Sequence, residues 1–548
     1  MEVILAKFDQ GIKNEYDMFL SRLKRHKELI NEIPNPELTA YLKSLSKCAI
    51  KLNRSHKELV NLLLASDWIT RDETVLDELH HFICELISAR TSHYLLEVLK
   101  MIICSFKPKV SDPNSELIHT HNESFSRLHR TLLSVLTMVP NAGILKLADV
   151  LRICYPNIHV VGSYGQECFV KNMLKLAEYP PKLVPPKLRG CIFQLIVKHM
   201  IDLDVRVARE DLQRAEELDA NEAELPFAAE KPAAIPKEAQ VLDRLMMLMF
   251  VYIRSKCFTK DGNLDKDTAT RVYHELRSAF DVLLLPTHES CHVQFLLFYL
   301  CSFGKAFADD FLQYLWQKVE NLGTESLYKQ IAVLYIGSFL ARAKYISVNT
   351  VRSCLKTMAE WIHCYIVHSS DMGVEPDPRH HRPFYAVCRA LFYVFIFRSK
   401  ELLSTERGRL FCKKLNLQRI VSSDLNPLRF CLQTIALTFS TIVRNNYLAV
   451  CDTILEKNRR CFIPEVNAAG VTGSEINLLD SFFPFDPYLL KDSSGFIADI
   501  YQEYECPEVT DNLERDSHAF EEAHYMELAD DDYDMENSNI DAFLNLML

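Results

Sequence analysis

LPTHESCHVQFLLFYLCSF, residues 285–303, is the stretch on which the fold turns. Pro286 pre-sets φ for a first helical turn, and from Val293 to Phe303 apolar residues fill nearly every position, which predicts a buried helix opening at Pro286. The same stretch contains His288-Glu289-Ser290-Cys291-His292. That is the HExxH spacing which, on a helix, sets two imidazoles one turn apart around a general base, as in zinc hydrolases. A metal site and the spine of a helical scaffold thus compete for one address. A zincin needs a third ligand, and the HxxGxxH extension is absent: Val293-Gln294-Phe295 follows instead. Asp309 and Asp310 come later, within an ordinary helical pattern. The two histidines therefore read as a helix-start pair bonded to neighbouring backbone, with no metal and no cofactor.

The surrounding chain repeats the helical theme. In residues 350–363, Val351, Leu355, Met358 and Ile362 recur on one face of a 3.6-residue helix, with Arg352, Lys356 and Glu360 on other faces. Phe19, Leu23 and Ile30 do the same in residues 15–33. The aromatic run PFYAVCRALFYVFIFR, residues 383–398, is apolar on almost every side, as in a helix surrounded by protein. Arg389 and Arg398 should then be paired or at a rim. Prolines at 140, 156, 180–181, 185–186, 286, 383 and 427 punctuate helix pairs, several at spacings near the about 40–47 residues of HEAT-type repeats. The expected fold is all-α, a HEAT-like helical-repeat solenoid with one large surface for partners.

Composition agrees with that class. The 548 residues are 48% hydrophobic, with only 14 glycines, too few for a Gly-rich phosphate-loop enzyme or a turn-rich β fold. Proline is absent between residues 37 and 107 and again between 287 and 375. The 17 cysteines are an odd number with no C-x-x-C, which fits reduced thiols packed as small hydrophobes inside a cell. MEVILAKFDQ lacks the run of a signal peptide, and no segment reaches the about 18 apolar residues a membrane span needs.

Charge divides the chain. Residues 502–548 hold fifteen acids and one base, Arg515, a net of -14 against -11 for the whole, so residues 1–501 sit near +3. Self-repulsion makes the terminal segment read as an acidic disordered tail. A second break covers residues 204–240, where Glu216, Glu217, Asp219, Glu222 and Glu224 mix with Pro226, Pro232 and Pro236. The expected organisation is an N-terminal helical block over 1–203, an acidic linker over 204–240, a C-terminal helical block over 241–501, and the tail.

Other motif fragments fall short of chemistry. Asp261, Asn263, Asp265 and Asp267 imitate positions 1, 3, 5 and 7 of an EF-hand loop, but Lys266 and Val272 replace the glycine and bidentate glutamate that calcium requires. Val161-Gly162-Ser163-Tyr164-Gly165 misses the nucleophile elbow by its first glycine. No Walker A or dinucleotide fingerprint occurs, and no catalytic residues are assigned.

With YIGSFLARAKYI (residues 335–346), LNPLRFCL (425–432) and FFPFDPYLL (482–490), the two stretches quoted above make the chain resemble the RNA polymerase I-specific transcription initiation factors of the TIF-IA family. The likeness is dense over about 241–501, thin before residue 180, and fades beyond 501. It implies an all-helical, HEAT-like, non-enzymatic factor of the nucleus and nucleolus that binds RNA polymerase I and bridges it to promoter-bound core factors for ribosomal RNA synthesis. It also implies a serine-bearing contact surface switched by phosphorylation. Direct DNA contact and a homodimer of the free factor stay open. The rival classes are a generic helical-repeat adaptor or transport receptor, and a zinc hydrolase on His288, Glu289 and His292.

Three candidate partner-binding features follow from the residues. Arg342 and Lys344 end an apolar helix, where the dipole favours cations; they form a partner-facing patch or simply cap that helix. Phe482, Phe483 and Phe485, spaced by Pro484 and Pro487, form an aromatic clamp that closes the last groove or presents itself to a partner. Ile540, Phe543, Leu544 and Met547 align on one helical face at the end of the tail, a stripe suited to folding on binding.

Overall fold

The computed structural model describes residues 2–28, 33–65, 68, 71–108, 115–157, 159–214, 236–287, 290–371, 377, 379–460 and 483–504. Among these residues the fold is all-α; extended pairing is confined to two isolated bridges, Phe258 with Leu264 and Ala343 with Tyr501. The chain forms two compact units, Met1–Phe303 with Tyr488–Asp499, and Gly304–Pro487 with Ile500–Leu548. That division follows a different line from the composition break at 204–240. Residues 215–235 of the break lie outside the described residues, but its flanks belong to a core: Asp204, Val207, Leu212 and Ala239 are all buried.

In the first unit each helix packs on others nearby in sequence. The Glu73–Cys104 helix meets Asn35–Lys47, Ser115–Met138 and Pro140–Cys154. Pro186–Asp204 meets Pro140–Cys154, Ser163–Ala177, Lys237–Cys257 and Lys266–Ala279. Such local stacking buries one face of each helix against its neighbours, the logic of a helical repeat. It continues from Pro186–Asp204 to Lys237–Cys257 straight across the acidic stretch.

Contrary to the sequence pattern, no helix opens at Pro286. The Lys266–Ala279 helix runs on into a π-helical turn, Phe280–Leu284, and the next helix begins only at Phe295. Ahead of that helix the N–H groups of residues 291–293 are taken by a carboxylate from elsewhere, as described below. The Asp261–Asp267 fragment forms the polar turn expected of it. Asp265 caps the Lys266–Ala279 helix by accepting from the Thr268 N–H, and Gly262 takes φ +79°.

The second unit is organised around the Arg382–Leu403 helix. It packs on Ser326–Arg342, Val348–Asp371, Glu406–Lys414 and Gln433–Asn445. Phe384 through Ser399 are buried on every side, as the aromatic run predicts. Its crossing with Ser326–Arg342 is tight because Gly337 faces Ala390; a Cβ at Gly337 would come within 2.9 Å of the Ala390 methyl. Val351, Leu355, Met358 and Ile362 are buried as their periodicity requires, with Lys356 and Glu360 exposed. Among the described residues no helix is long and apolar enough to cross a membrane.

Candidate functional site

His292 does not stand at a helix start. It lies before the helix, and its Nδ1 is 2.8 Å from Asp204 Oδ1, both residues being buried. Asp204 Oδ2 accepts from the N–H groups of Cys291, His292 and Val293 at 2.9, 2.8 and 3.1 Å, and from the Ser290 hydroxyl at 2.8 Å. Three consecutive amides aimed at one oxygen form an anion nest, here filled by the protein's own carboxylate. Burial pushes the Asp204 carboxyl up, but the His292 ring and these donors outweigh it and hold it below its ordinary value. The outer edge of the His292 ring packs edge-on against Tyr488, 5.3 Å between centroids. His288 and Glu289 lie outside the described residues. Among the described residues no three His, Cys, Asp or Glu side chains converge as a metal would need.

A second carboxylate works the same way. Asp243, buried in the Lys237–Cys257 helix, accepts from the Asp492 N–H at 2.8 Å, the Ser493 N–H at 2.9 Å, and the Ser493 hydroxyl. It fixes the Tyr488–Asp499 segment into the first unit.

Arg342, expected at a partner-facing surface, is buried. Its guanidinium lies 4.6 Å from the Phe397 ring and 5.3 Å from the Tyr501 ring, and 3.9 Å from Asp486. The helix ends at Arg342, so its carbonyl is free to accept from the Gln502 N–H at 2.7 Å. The chain returning along residues 500–502 therefore covers this cation instead of leaving it in water. Lys344 is exposed, while its N–H donates to the Ile500 carbonyl at 3.0 Å. Arg398 is paired, as its place in an apolar helix demands. It donates to the carbonyls of Leu340 and Ala343 at 2.9 and 2.7 Å and to Gln502 and Glu401, both at 2.8 Å.

The aromatic clamp closes inward. Phe483 stacks on Tyr393 with centroids 4.2 Å apart. Phe485 is fully buried between Tyr335 and Phe339, its N–H donating to the Ser338 hydroxyl at 2.9 Å and its carbonyl accepting from Tyr501 at 2.9 Å. Both rings are buried within the second unit. Phe482 and the stripe of Ile540, Phe543, Leu544 and Met547 lie outside the described residues. A cleft of about 470 Å³ opens in this unit between Lys305–Glu320, Ser326–Arg342 and Val348–Asp371, its lining including Asp309, Trp316, Thr350, Ser353 and Thr357.

Sequence reading missed one contact between thiols. Cys104 and Cys154, each the last residue of its helix, place their sulfurs 3.1 Å apart, and Cys104 is exposed. The hydrogen bond to Cys154, with Lys107 and Lys100 nearby, draws the Cys104 thiol below the ordinary range against the effect of burial. Fifty residues separate the pair, so no spacing motif could announce it.

Known proteins resemble this sequence along nearly the whole chain. Residues 2–508 match the family described as RNA polymerase I specific transcription initiation factor RRN3. The chain belongs to that family. The RNA polymerase I-specific transcription initiation factor RRN3 of Mus musculus is 33% identical over 539 residues, covering 92% of this chain and 80% of the relative. The rrn3 factor of Schizosaccharomyces pombe is 27% identical over 531 residues, covering 89% and 84%. A solved structure, that of RNA polymerase I transcription initiation factor Rrn3, shares the fold with a TM-score of 0.71 at 21% identity, over 92% of this chain and 97% of that one. The family is one of initiation factors and not of enzymes, which sets aside the zinc-hydrolase class.

Proposed function

We propose that this chain binds RNA polymerase I and bridges it to promoter-bound core factors, in the nucleus and at the nucleolus. The observation that carries this reading is the family match over residues 2–508, which leaves little of the chain to any other role. The buried charges are consistent with a scaffold: Asp204, Asp243 and Arg342 hold chain segments together. Lys344, exposed at the end of the Ser326–Arg342 helix, and the stripe of Ile540, Phe543, Leu544 and Met547 are the residues proposed to touch a partner. The acidic, proline-bearing linker expected over 204–240 is proposed, inside its buried flanks, as dispensable for folding, so limited proteolysis should cut there first and leave two protected fragments.

Affinity capture of the tagged full chain from nuclear extract tests the bridging role. Polymerase I subunits should co-purify from soluble extract, and core factors should join them when promoter DNA is supplied. Capture without any polymerase I subunit would overturn the proposal in favour of a generic adaptor. Capture of the polymerase without core factors on promoter DNA would remove the bridging part.

A further inference from the structure

Residues 406–460 contain ten Lys and Arg against four Asp and Glu, a net of +6 in a chain whose net is -11. All ten basic side chains are exposed. Two of the acids are already matched, Asp452 by Arg444 at 3.1 Å and Glu456 by Arg460 at 2.9 Å. The remaining positive charge includes Arg407, Lys413 and Lys414 on the Glu406–Lys414 helix, Arg419 on Leu417–Val421, and Lys457 and Arg459 on Asp452–Arg460. Hydrogen bonds join these segments into one strip. Gln418 Oε1 accepts from the Val450 N–H at 2.7 Å, and the side chains of Asn426 and Asn458 pair at 2.6 Å. The basic helix is also held firmly to the unit's core: a Cβ at Gly408 would lie 1.9 Å from the Leu402 carbonyl oxygen, so only glycine fits that approach.

Beside this strip the chain leaves the described structure. Gln502 is bonded to Arg398 at 2.8 Å, and Tyr504 packs on Phe397 at 5.0 Å. Phe397 lies six residues, roughly 9 Å at about 1.5 Å per residue, before the end of its helix at Leu403, and the basic Glu406–Lys414 helix begins three residues later. The 44 residues that follow, 505–548, carry fourteen acids and one base, a net of -13, and their first acid is Glu505 itself. Six extended residues span up to about 20 Å, so the earliest acids already reach the start of the strip. A segment tethered this close acts at an effective concentration on the order of millimolar, which favours it over free polyanions.

We propose that the acidic segment 505–548 lies over the basic strip of residues 406–460 and keeps it covered in the free protein. The contact is electrostatic and many-toothed, so it yields to salt and to any partner that offers a better basic surface to the tail or a better acidic one to the strip.

Zero-length carbodiimide cross-linking of the full chain tests this, because it joins only lysines and carboxylates in direct contact. At 50 mM salt, peptide mapping of the monomer band should find the acids of 505–548 joined chiefly to Lys413, Lys414 and Lys457. Yield should fall at least fivefold at 500 mM salt, and at least fivefold in the full chain carrying Asp530→Asn, Asp531→Asn, Asp532→Asn and Asp534→Asn. Unchanged circular dichroism will show that this variant is folded. Cross-links confined to other exposed lysines, such as Lys305 and Lys356, or found only between chains in a dimer band, would overturn the proposal. A 20-base-pair DNA duplex tests the competing occupant. The chain with these four aspartates replaced should bind it at least tenfold more tightly than the wild type, and adding Lys413→Gln and Lys414→Gln should cancel the gain. Equal duplex binding by both chains would mean that the strip is open to nucleic acid and that the tail does not cover it.

Discussion

Asp204 in the first unit and Arg342 in the second are both buried charges, yet they are accommodated by opposite means. The carboxylate is enclosed by directional donors: three amides, a hydroxyl and an imidazole. The guanidinium is enclosed mainly by ring faces, with Asp486 at 3.9 Å. A small anion concentrates its charge on two oxygens and has to be hydrogen-bonded when water is removed. A guanidinium is planar, weakly hydrated and content against aromatic surfaces. Each solution suits its ion, and each ties a distant piece of chain to a helix end. Charge at the boundary of a helix is therefore no guide to what meets the solvent.

The largest expected effect follows from removing the more demanding ion. Asp204→Ala strands three amides and the His292 ring, and should cost about 3–5 kcal/mol in urea unfolding, the range for breaking a buried pair. Asp204→Asn, which keeps an acceptor oxygen, should lose less. Because the folded Asp204 carboxyl sits below its ordinary 3.8, its contribution is complete above that pH and disappears as pH falls through the lower folded value. The stability gap between wild type and Asp204→Asn should thus be flat from pH 7 to 5 and narrow below pH 4. A gap that stays constant at acid pH would show that the carboxylate charge has no part in it.

Asp243 offers an intermediate case, with two amides and one hydroxyl. Asp243→Ala should cost about 1–3 kcal/mol, the penalty of leaving buried donors unsatisfied, and should raise hydrogen exchange at Asp492 and Ser493. An unchanged exchange rate there would detach this carboxylate from the returning segment.

Arg342→Lys keeps the charge and discards the planar face. A loss of about 1–2 kcal/mol, the scale of a desolvated cation–π contact, should appear in thermal unfolding, with polymerase capture per folded molecule unchanged. Intact stability with lost capture would return Arg342 to the surface role and break the comparison. The smallest effect belongs to its neighbour. Lys344→Glu should move stability by no more than about 0.5 kcal/mol, as exposed substitutions do. Weakened polymerase capture by that variant would support its place in a partner surface, and unaffected capture would remove it.

Much of the helical framework was legible in the residues. The 3.6-residue period of Val351, Leu355, Met358 and Ile362 and the all-round apolarity of residues 383–398 state burial directly, since local geometry alone decides which face a residue occupies. The misreadings were of residues whose partners are far away in the chain. Asp204 stands beside an acidic, proline-bearing stretch and looks like its first member, but its partners lie 86 to 89 residues on. Arg342 ends a helix, where a cation usually reaches water, but the chain at Tyr501 and Gln502 folds back over it. Pro286 looks like a helix start, and it instead follows the end of one, because a carboxylate nearly ninety residues earlier has claimed the donors the next turn would have used. No periodicity records such long-range acceptors.

The Tyr488–Asp499 segment imposes an order of events on synthesis. The first unit needs it, yet it leaves the ribosome 185 residues after Phe303. At the usual elongation rates of about 5–20 residues per second, that is a wait of roughly ten to forty seconds. During that interval Asp243 has no amides to hold, and the rings of Phe250, Phe295 and Tyr299 lack the contacts that Tyr488 and Phe496 later bring. The first-made part of this chain is thus finished among the last, and nascent chains truncated before residue 488 should be strong clients for chaperones that bind apolar surface.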